Sequence, residues 1–194
     1  MKITKQIFVC FSFLMVISLV FSCKTIEKAA KKSPREEFND KLTQLSQKGD
    51  LEGILKLIDE SNTELTNGFK VQYLKLSVLI SLRKTQEAET LADELSEAYP
   101  DNTDILYAKV MMAQAENNLK KKEQYLKKIL AINPKDSQAL TEQGLDFYSA
   151  KRYNDARRKF IEAYKVDPKC TEALIGLGRI NYLEGKLDQA EANL

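Results

Sequence analysis

The feature that most constrains this chain is a period of 34 residues. Three of its four prolines, Pro100, Pro134 and Pro168, stand 34 apart. Leu51, Thr85, Leu119, Tyr153 and Leu187 keep the same step, and so do Phe38, Gln72, Leu106, Leu140 and Leu174. A unit of that length is one supersecondary element. It cannot bury its own apolar face, so successive units must stack on one another. Inside each unit a polar or flexible pair separates two longer stretches: Gly49-Asp50, Arg83-Lys84, Asn117-Asn118, Lys151-Arg152 and Gly185-Lys186. The proline between units stops one helix before the next begins. No period-2 strand pattern competes. The spacing therefore predicts an all-α chain of stacked helix–turn–helix units.

The residues within the unit resemble the tetratricopeptide repeat. The copy at 137–170 reads Leu140-x-x-Gln143-Gly144-x-x-Phe147, then Ala156-x-x-x-Phe160, Ala163 and Pro168. The next begins Leu174-x-x-Leu177-Gly178 and continues to Ala190-x-x-x-Leu194. Copies at 69–102 and 103–136 keep Ala88 with Pro100 and Leu106 with Pro134, and the copy at 35–68 is held mainly by its frame. Departures are Leu for the family Trp, Gln143 for Leu, Asn181 for Tyr and Lys122 for Ala. The resemblance spans residues 35–194 and implies an α-solenoid with a right-handed superhelical twist. The final copy, 171–194, enters its second helix near Leu187 and is incomplete, so the native protein is expected to be longer. Small residues (Gly144, Gly178, Ala88, Ala156, Ala190) are expected to let helices approach. Large ones (Phe147, Phe160, Leu177, Leu126) are expected to fill the seam.

Residues 1–22 differ from the rest. Lys2 and Lys5 precede an uncharged apolar run from Ile7 to Phe21, and charge returns after Ser22-Cys23. A basic start, an apolar centre and a small residue before a cut site make a secretory signal. The 15-residue run is shorter than the roughly 20 residues that span a bilayer. Leu19-Val20-Phe21-Ser22-Cys23 resembles the lipobox of bacterial lipoproteins. That resemblance implies cleavage before Cys23, acylation of Cys23 with fatty acids such as palmitate, and a stable membrane anchor. Lys24, in place of an aspartate retention mark, points toward the outer membrane, facing the periplasm or the cell surface. Residues 23–34 then form the lipidated cysteine and a tether. Ser33-Pro34-Arg35-Glu36 reads as a helix start, with Ser33 and Glu36 as a capping box.

The chain has no His, so His-based triads and His-containing metal sites are excluded. Three cysteines do not make a four-thiolate site. Removing residues 1–22 leaves 28 basic and 28 acidic side chains, and nothing global points to nucleic acid. Glu36/Glu37 and Asp93/Glu94 are neighbours in sequence and do not face each other on a helix. No phosphate-cradling Gly-rich loop is present. The reading is a non-enzyme without metal or cofactor. Lys120, Lys121, Lys122, Lys127 and Lys128 read as a solvated convex face. Cys170 reads as a tolerated small residue between repeats.

That leaves the inner face. In the tetratricopeptide family the first helix of each pair lines a concave groove. Placed on that pattern, Tyr73, Ser77 and Ile80 face inward from one repeat and Tyr107, Met111 and Gln114 from the next. Thr141, Leu145 and Tyr148 follow, and then Ile175, Arg179 and Tyr182. Tyr107, Tyr148 and Tyr182 are the expected anchors for a protein or peptide partner. The Lys/Asn set by which some members grip a C-terminal carboxylate is not apparent. The expected role is a lipid-anchored scaffold of the bacterial cell envelope, joined to the membrane through Cys23. The rival readings are a repeat adaptor of a longer protein with a catalytic domain beyond residue 194, and a host-facing surface lipoprotein.

Overall fold

The computed structural model describes residues 32–186. The expected signal segment, Cys23, the expected tether up to residue 31, and Leu187, Ala190 and Leu194 lie outside the described residues. The chain divides between Gly49 and Asp50 into two compact units. In the first, α1 (Pro34–Lys48) begins as expected: Ser33 caps it, Glu36 N donates to Ser33 Oγ at 3.3 Å, and Ser33 N donates to Glu36 Oε2 at 2.7 Å.

The second unit holds α2 (Leu51–Glu60), α3 (Thr63–Thr66), α4 (Phe69–Ser81), α5 (Thr85–Ala98), α6 (Thr103–Ala115), α7 (Leu119–Ile132), α8 (Ser137–Ser149), α9 (Tyr153–Val166) and α10 (Thr171–Leu183). From α4 onward each first helix has 13 residues and each second helix 14. The turn pairs fall where the period places them. Their first residues, Gly49, Arg83, Asn117, Lys151 and Gly185, all have φ between 55° and 72°. One left-handed residue thus ends the first helix of every unit, and only two of the five are glycines. Early in the array the period slips. Thr66 stands where later units have proline. There α2 has only 10 residues, and α3 is a single extra turn, capped by Asn62. Gln72 Nε2 donates to the Thr66 carbonyl at 2.8 Å and ties this turn to α4.

Packing runs along the chain, α4 on α5, α5 on α6 and so on to α9 on α10. First helices also meet, α4 with α6 and α8 with α10, whereas consecutive second helices make no comparable contact among the described residues. The first helices therefore line the more closely curved side. Each core crosses a repeat boundary, as stacking requires. Leu106, Val110, Leu126 and Ile129 pack with Ala139 of the next repeat. Leu140, Ala156, Phe160 and Ala163 pack with Ala173, Leu177 and Ile180. Leu130 touches both clusters. Phe160 is fully buried, and a Cβ on Gly144 or on Gly176 would come within 2.5 Å of its ring. The expected closeness at Gly144 is present, and Gly176 serves the same ring from the far side.

The lysine-rich helix corrects the sequence reading. Lys122 is not on a solvated face. It is 4% exposed and lies between α7 and α8. Its Nζ sits 2.8 Å from Glu142 Oε2 and 2.7 Å from Asp146 Oδ1. The physical reason is its place in the repeat: Lys122 occupies the packing position held by buried Ala88 and Ala156 in the flanking units. Lys121 is partly covered and pairs with Glu89 and Glu116, while Lys127, which pairs with Glu123, is 66% exposed.

Candidate partner-binding face

The inner layer is built from α4, α6, α8 and α10. The 34-residue step brings their side chains into columns. The first column is Tyr73, Tyr107, Thr141 and Ile175. The second is Ser77, Met111, Leu145 and Arg179. The third is Ile80, Gln114, Tyr148 and Tyr182. All the residues expected on this face therefore lie on the helices that line it, at three successive turns.

The columns differ in freedom. In the first, Tyr107 and Thr141 reach the start of the next repeat. Tyr107 Oη donates a short hydrogen bond to Asp136 Oδ1. Asp136 is the N-cap of α8 and accepts at the same atom from Ala139 N at 2.9 Å. Burial, and then this hydrogen bond, pushes the Tyr107 phenol well above its usual range. One repeat later Thr141 Oγ1 lies 3.3 Å from Cys170 Sγ, at the N-cap of α10. Tyr73 is half-buried and stacks on Phe69 at 5.7 Å, and Phe69 meets Tyr99 edge-on at 4.9 Å. Burial raises the Tyr73 phenol, with Asp104 adding to it. Ile175 is half-buried.

The later columns carry the open surface. Met111 is 58% exposed and Tyr182 67% exposed, and Gln114 and Arg179 are also exposed. Tyr148 lies between these extremes. It is half-buried, packs on the Leu140–Phe160 core, and its ring meets Tyr153 at 5.6 Å. The three tyrosines expected as anchors differ: Tyr107 is tied to Asp136, Tyr148 is partly core and Tyr182 is open to solvent.

Polar bridges cross every boundary from the second repeat onward. Lys109 Nζ meets Asp93 Oδ1 at 2.7 Å, and Lys121 meets Glu89 at 3.4 Å. Lys122 meets Glu142 and Asp146, and Arg157 donates to Asn181 Oδ1 at 2.7 Å and pairs with Glu184 at 2.8 Å. The Lys122 cluster has unequal ends. Burial would lower the lysine's pKa, but hydrogen bonds to Asp146 and Glu142 outweigh it and leave it raised. Burial raises the Asp146 carboxyl, and one shared lysine does not reverse that. Sequence reasoning missed this cluster. The available signal was a lysine at a small-residue position, with two acids four apart on the facing helix.

A stack of helix–turn–helix units with a half-open inner face of Met, Tyr and Arg side chains is the architecture of a protein–protein interaction scaffold. Residues 141–193 match the family model described as tetratricopeptide repeat. That segment carries the tetratricopeptide-repeat pattern, and the fold is a tetratricopeptide-type α-solenoid. It is 27% identical over 139 residues to a TPR repeat-containing protein of Pseudomonas aeruginosa, covering 71% of this chain and 24% of that protein. It is 22% identical over 171 residues to the DnaJ homolog subfamily C member 7 homolog of Dictyostelium discoideum, covering 80% of this chain and 32% of that one. The chain thus spans a quarter to a third of these relatives' length. Among solved structures, MamA from Desulfovibrio magneticus RS-1 matches with a TM-score of 0.63 at 19% identity, over 84% of this chain and 93% of that one. A tetratricopeptide repeat protein from Parabacteroides merdae also gives 0.63, at 20% identity, over 82% of this chain and 63% of that one. At that identity these structures support the fold alone.

Proposed function

We propose that this protein is a membrane-anchored scaffold of the bacterial cell envelope that holds a segment of a partner protein against its inner face. The observation that carries the groove is the exposure of Met111 and Tyr182 on the layer of first helices, where unpaired aromatic and thioether surface suits a peptide. The anchor rests on the lipobox-like stretch ending at Cys23, which gives the chain a route to the outer membrane. No reaction chemistry enters this reading; the protein acts by positioning its partner.

Two measurements test it. In cells fed labelled palmitate, Cys23→Ser should abolish acyl labelling and leave the precursor uncut. Mature protein of unchanged mass would refute the anchor. For the groove, the acylated protein is captured from membranes and its partner identified. Tyr182→Ala and Met111→Ala should then weaken that partner's binding while leaving helix melting unchanged. Unaltered affinity in both variants would refute the inner face as the site.

A further inference from the structure

The boundaries between repeats use different side chains at the same register positions. Each boundary brings two positions of a second helix against two positions of the next first helix. Between α5 and α6, which pack together, the same register positions hold Ala88 and Ala92 on one side and Ala108 and Met112 on the other, all four buried. Between α7 and α8 they are Lys122 and Leu126, with Glu142 and Asp146 at the matching positions of α8, both paired with Lys122. Between α9 and α10 they are Ala156 and Phe160 facing Gly176 and Ile180.

These sets exclude one another. Phe160 fits only because position 176 has no side chain: even a Cβ there would lie 2.5 Å from the ring. A glutamate, as at the matching Glu142, has no room. Conversely Lys122, 4% exposed, docked on a surface like that of Gly176 and Ile180, would be buried without a counter-charge. Glu142 and Asp146 docked on a surface like that of Ala156 and Phe160 would lose their cation. An array of near-equivalent units has a standing hazard, since any second helix can meet any first helix, in its own chain or in another copy. A single buried polar set fixing register is the best-attested use of buried charge.

We infer that the boundaries α7/α8 and α9/α10 are mutually incompatible keys, one ionic and one aromatic–glycine, which make the repeats dock in a single order and block out-of-order docking within a chain or between copies. The tie from Tyr107 to Asp136 adds to the first key, because the matching pair one repeat on is Thr141 with Cys170.

The test makes the keys identical in the full chain, in two independent ways. Val110→Gly, Lys122→Ala, Leu126→Phe, Glu142→Gly and Asp146→Ile together copy the second key onto the first boundary, position 110 being the counterpart of Gly144. Gly144→Val, Ala156→Lys, Phe160→Leu, Gly176→Glu and Ile180→Asp together copy the first key onto the second. Heavy-isotope and light chains are unfolded together, refolded and cross-linked through lysines. Peptides joining the α7 lysines of one isotope to Lys169 or Lys186, which flank α10, of the other report repeats docked out of order. Such peptides should rise about tenfold over the parent in whichever variant regains parental helicity, because the unpaired-charge penalty on the swapped form is gone. Parental levels in a refolded variant would overturn the inference. Failure of both variants to refold would overturn it too, since each set would then not be a self-sufficient key.

Discussion

The ring of Phe160 and the two glycines beside it allow a prediction whose sign depends on the packing. Gly176 lies in the interior of α10, where replacing glycine by alanine ordinarily stabilises a helix by about 1 kcal/mol. Here the new methyl would stand 2.5 Å from Phe160 Cε2 and Cζ, and 2.8 Å from Cδ2. The ring has no clear retreat. On its other face Gly144 is close enough that a Cβ there would also lie 2.5 Å from the ring. Overpacking of this kind costs about 1–3 kcal/mol. We expect Gly176→Ala to lower stability by about 1–2 kcal/mol after the helix gain is subtracted. In a Phe160→Leu background the clash disappears, as in the preceding repeat, where Leu126 fills the matching place. There Gly176→Ala should stabilise by about 0.5–1 kcal/mol, giving a coupling of about 2 kcal/mol between the two sites. Urea unfolding followed by circular dichroism, with hydrogen exchange of the α9 and α10 amides, measures the cycle. If Gly176→Ala stabilises the parent as much as the Phe160→Leu background, the ring is not wedged and the packing argument fails.

Lys122→Ala should cost about 2 kcal/mol, less than the 3–5 kcal/mol of a fully buried broken pair, because Glu142 and Asp146 keep 27% and 30% of their surface in water. Lys127→Ala, on the exposed side of the same helix, should shift the urea midpoint by no more than about 0.5 kcal/mol equivalent; equal effects would refute the buried placement. Lys151→Gly and Arg83→Gly relieve left-handed residues at φ 59° and 56° and should each raise stability by up to about 1 kcal/mol in thermal melts.

Much of this architecture was legible because its determinants are local. The capping box at Ser33 and Glu36, the turn pairs and the inter-repeat prolines act within one or two turns of helix, and the structure has them where the spacing placed them. What escaped was non-local or depended on what lay opposite. Lys122 carried two conflicting signals, a charge that suggests solvent and a register position that demands burial, and the facing acids 20 and 24 residues away decided for burial. Gly176 lies outside the repeat motif, and its role depends on the size of Phe160, a residue of the neighbouring unit. The extra turn α3 arises where Thr66 replaces the proline that ends later units, so a degenerate copy gave no motif from which to read it.

The columns of the inner face divide its work, and this decides which tyrosine tests what. At the fifth residue of a first helix, Tyr107 and Thr141 lie beside the N-cap of the next repeat, Tyr107 with Asp136 and Thr141 with Cys170. That column holds repeats together, so its loss should register in stability. Tyr107→Phe removes the donor while keeping the ring, and should cost about 1 kcal/mol. It should also change the alkaline limb. The folded phenol titrates above the free value of 10.0, so the unfolded chain gives up its proton first. The stability this tyrosine contributes is therefore complete below pH 10 and declines above it. Lys122 acts in the same direction from its own reference of 10.5. Unfolding measured from pH 8 to about 11 should then show a shallower decline in Tyr107→Phe than in the parent. Tyr182→Ala, in the third column and open to solvent, should leave that profile unchanged. A profile untouched by Tyr107→Phe would mean that the phenol is not held by Asp136, and the first column would return to the set of residues free to meet a partner.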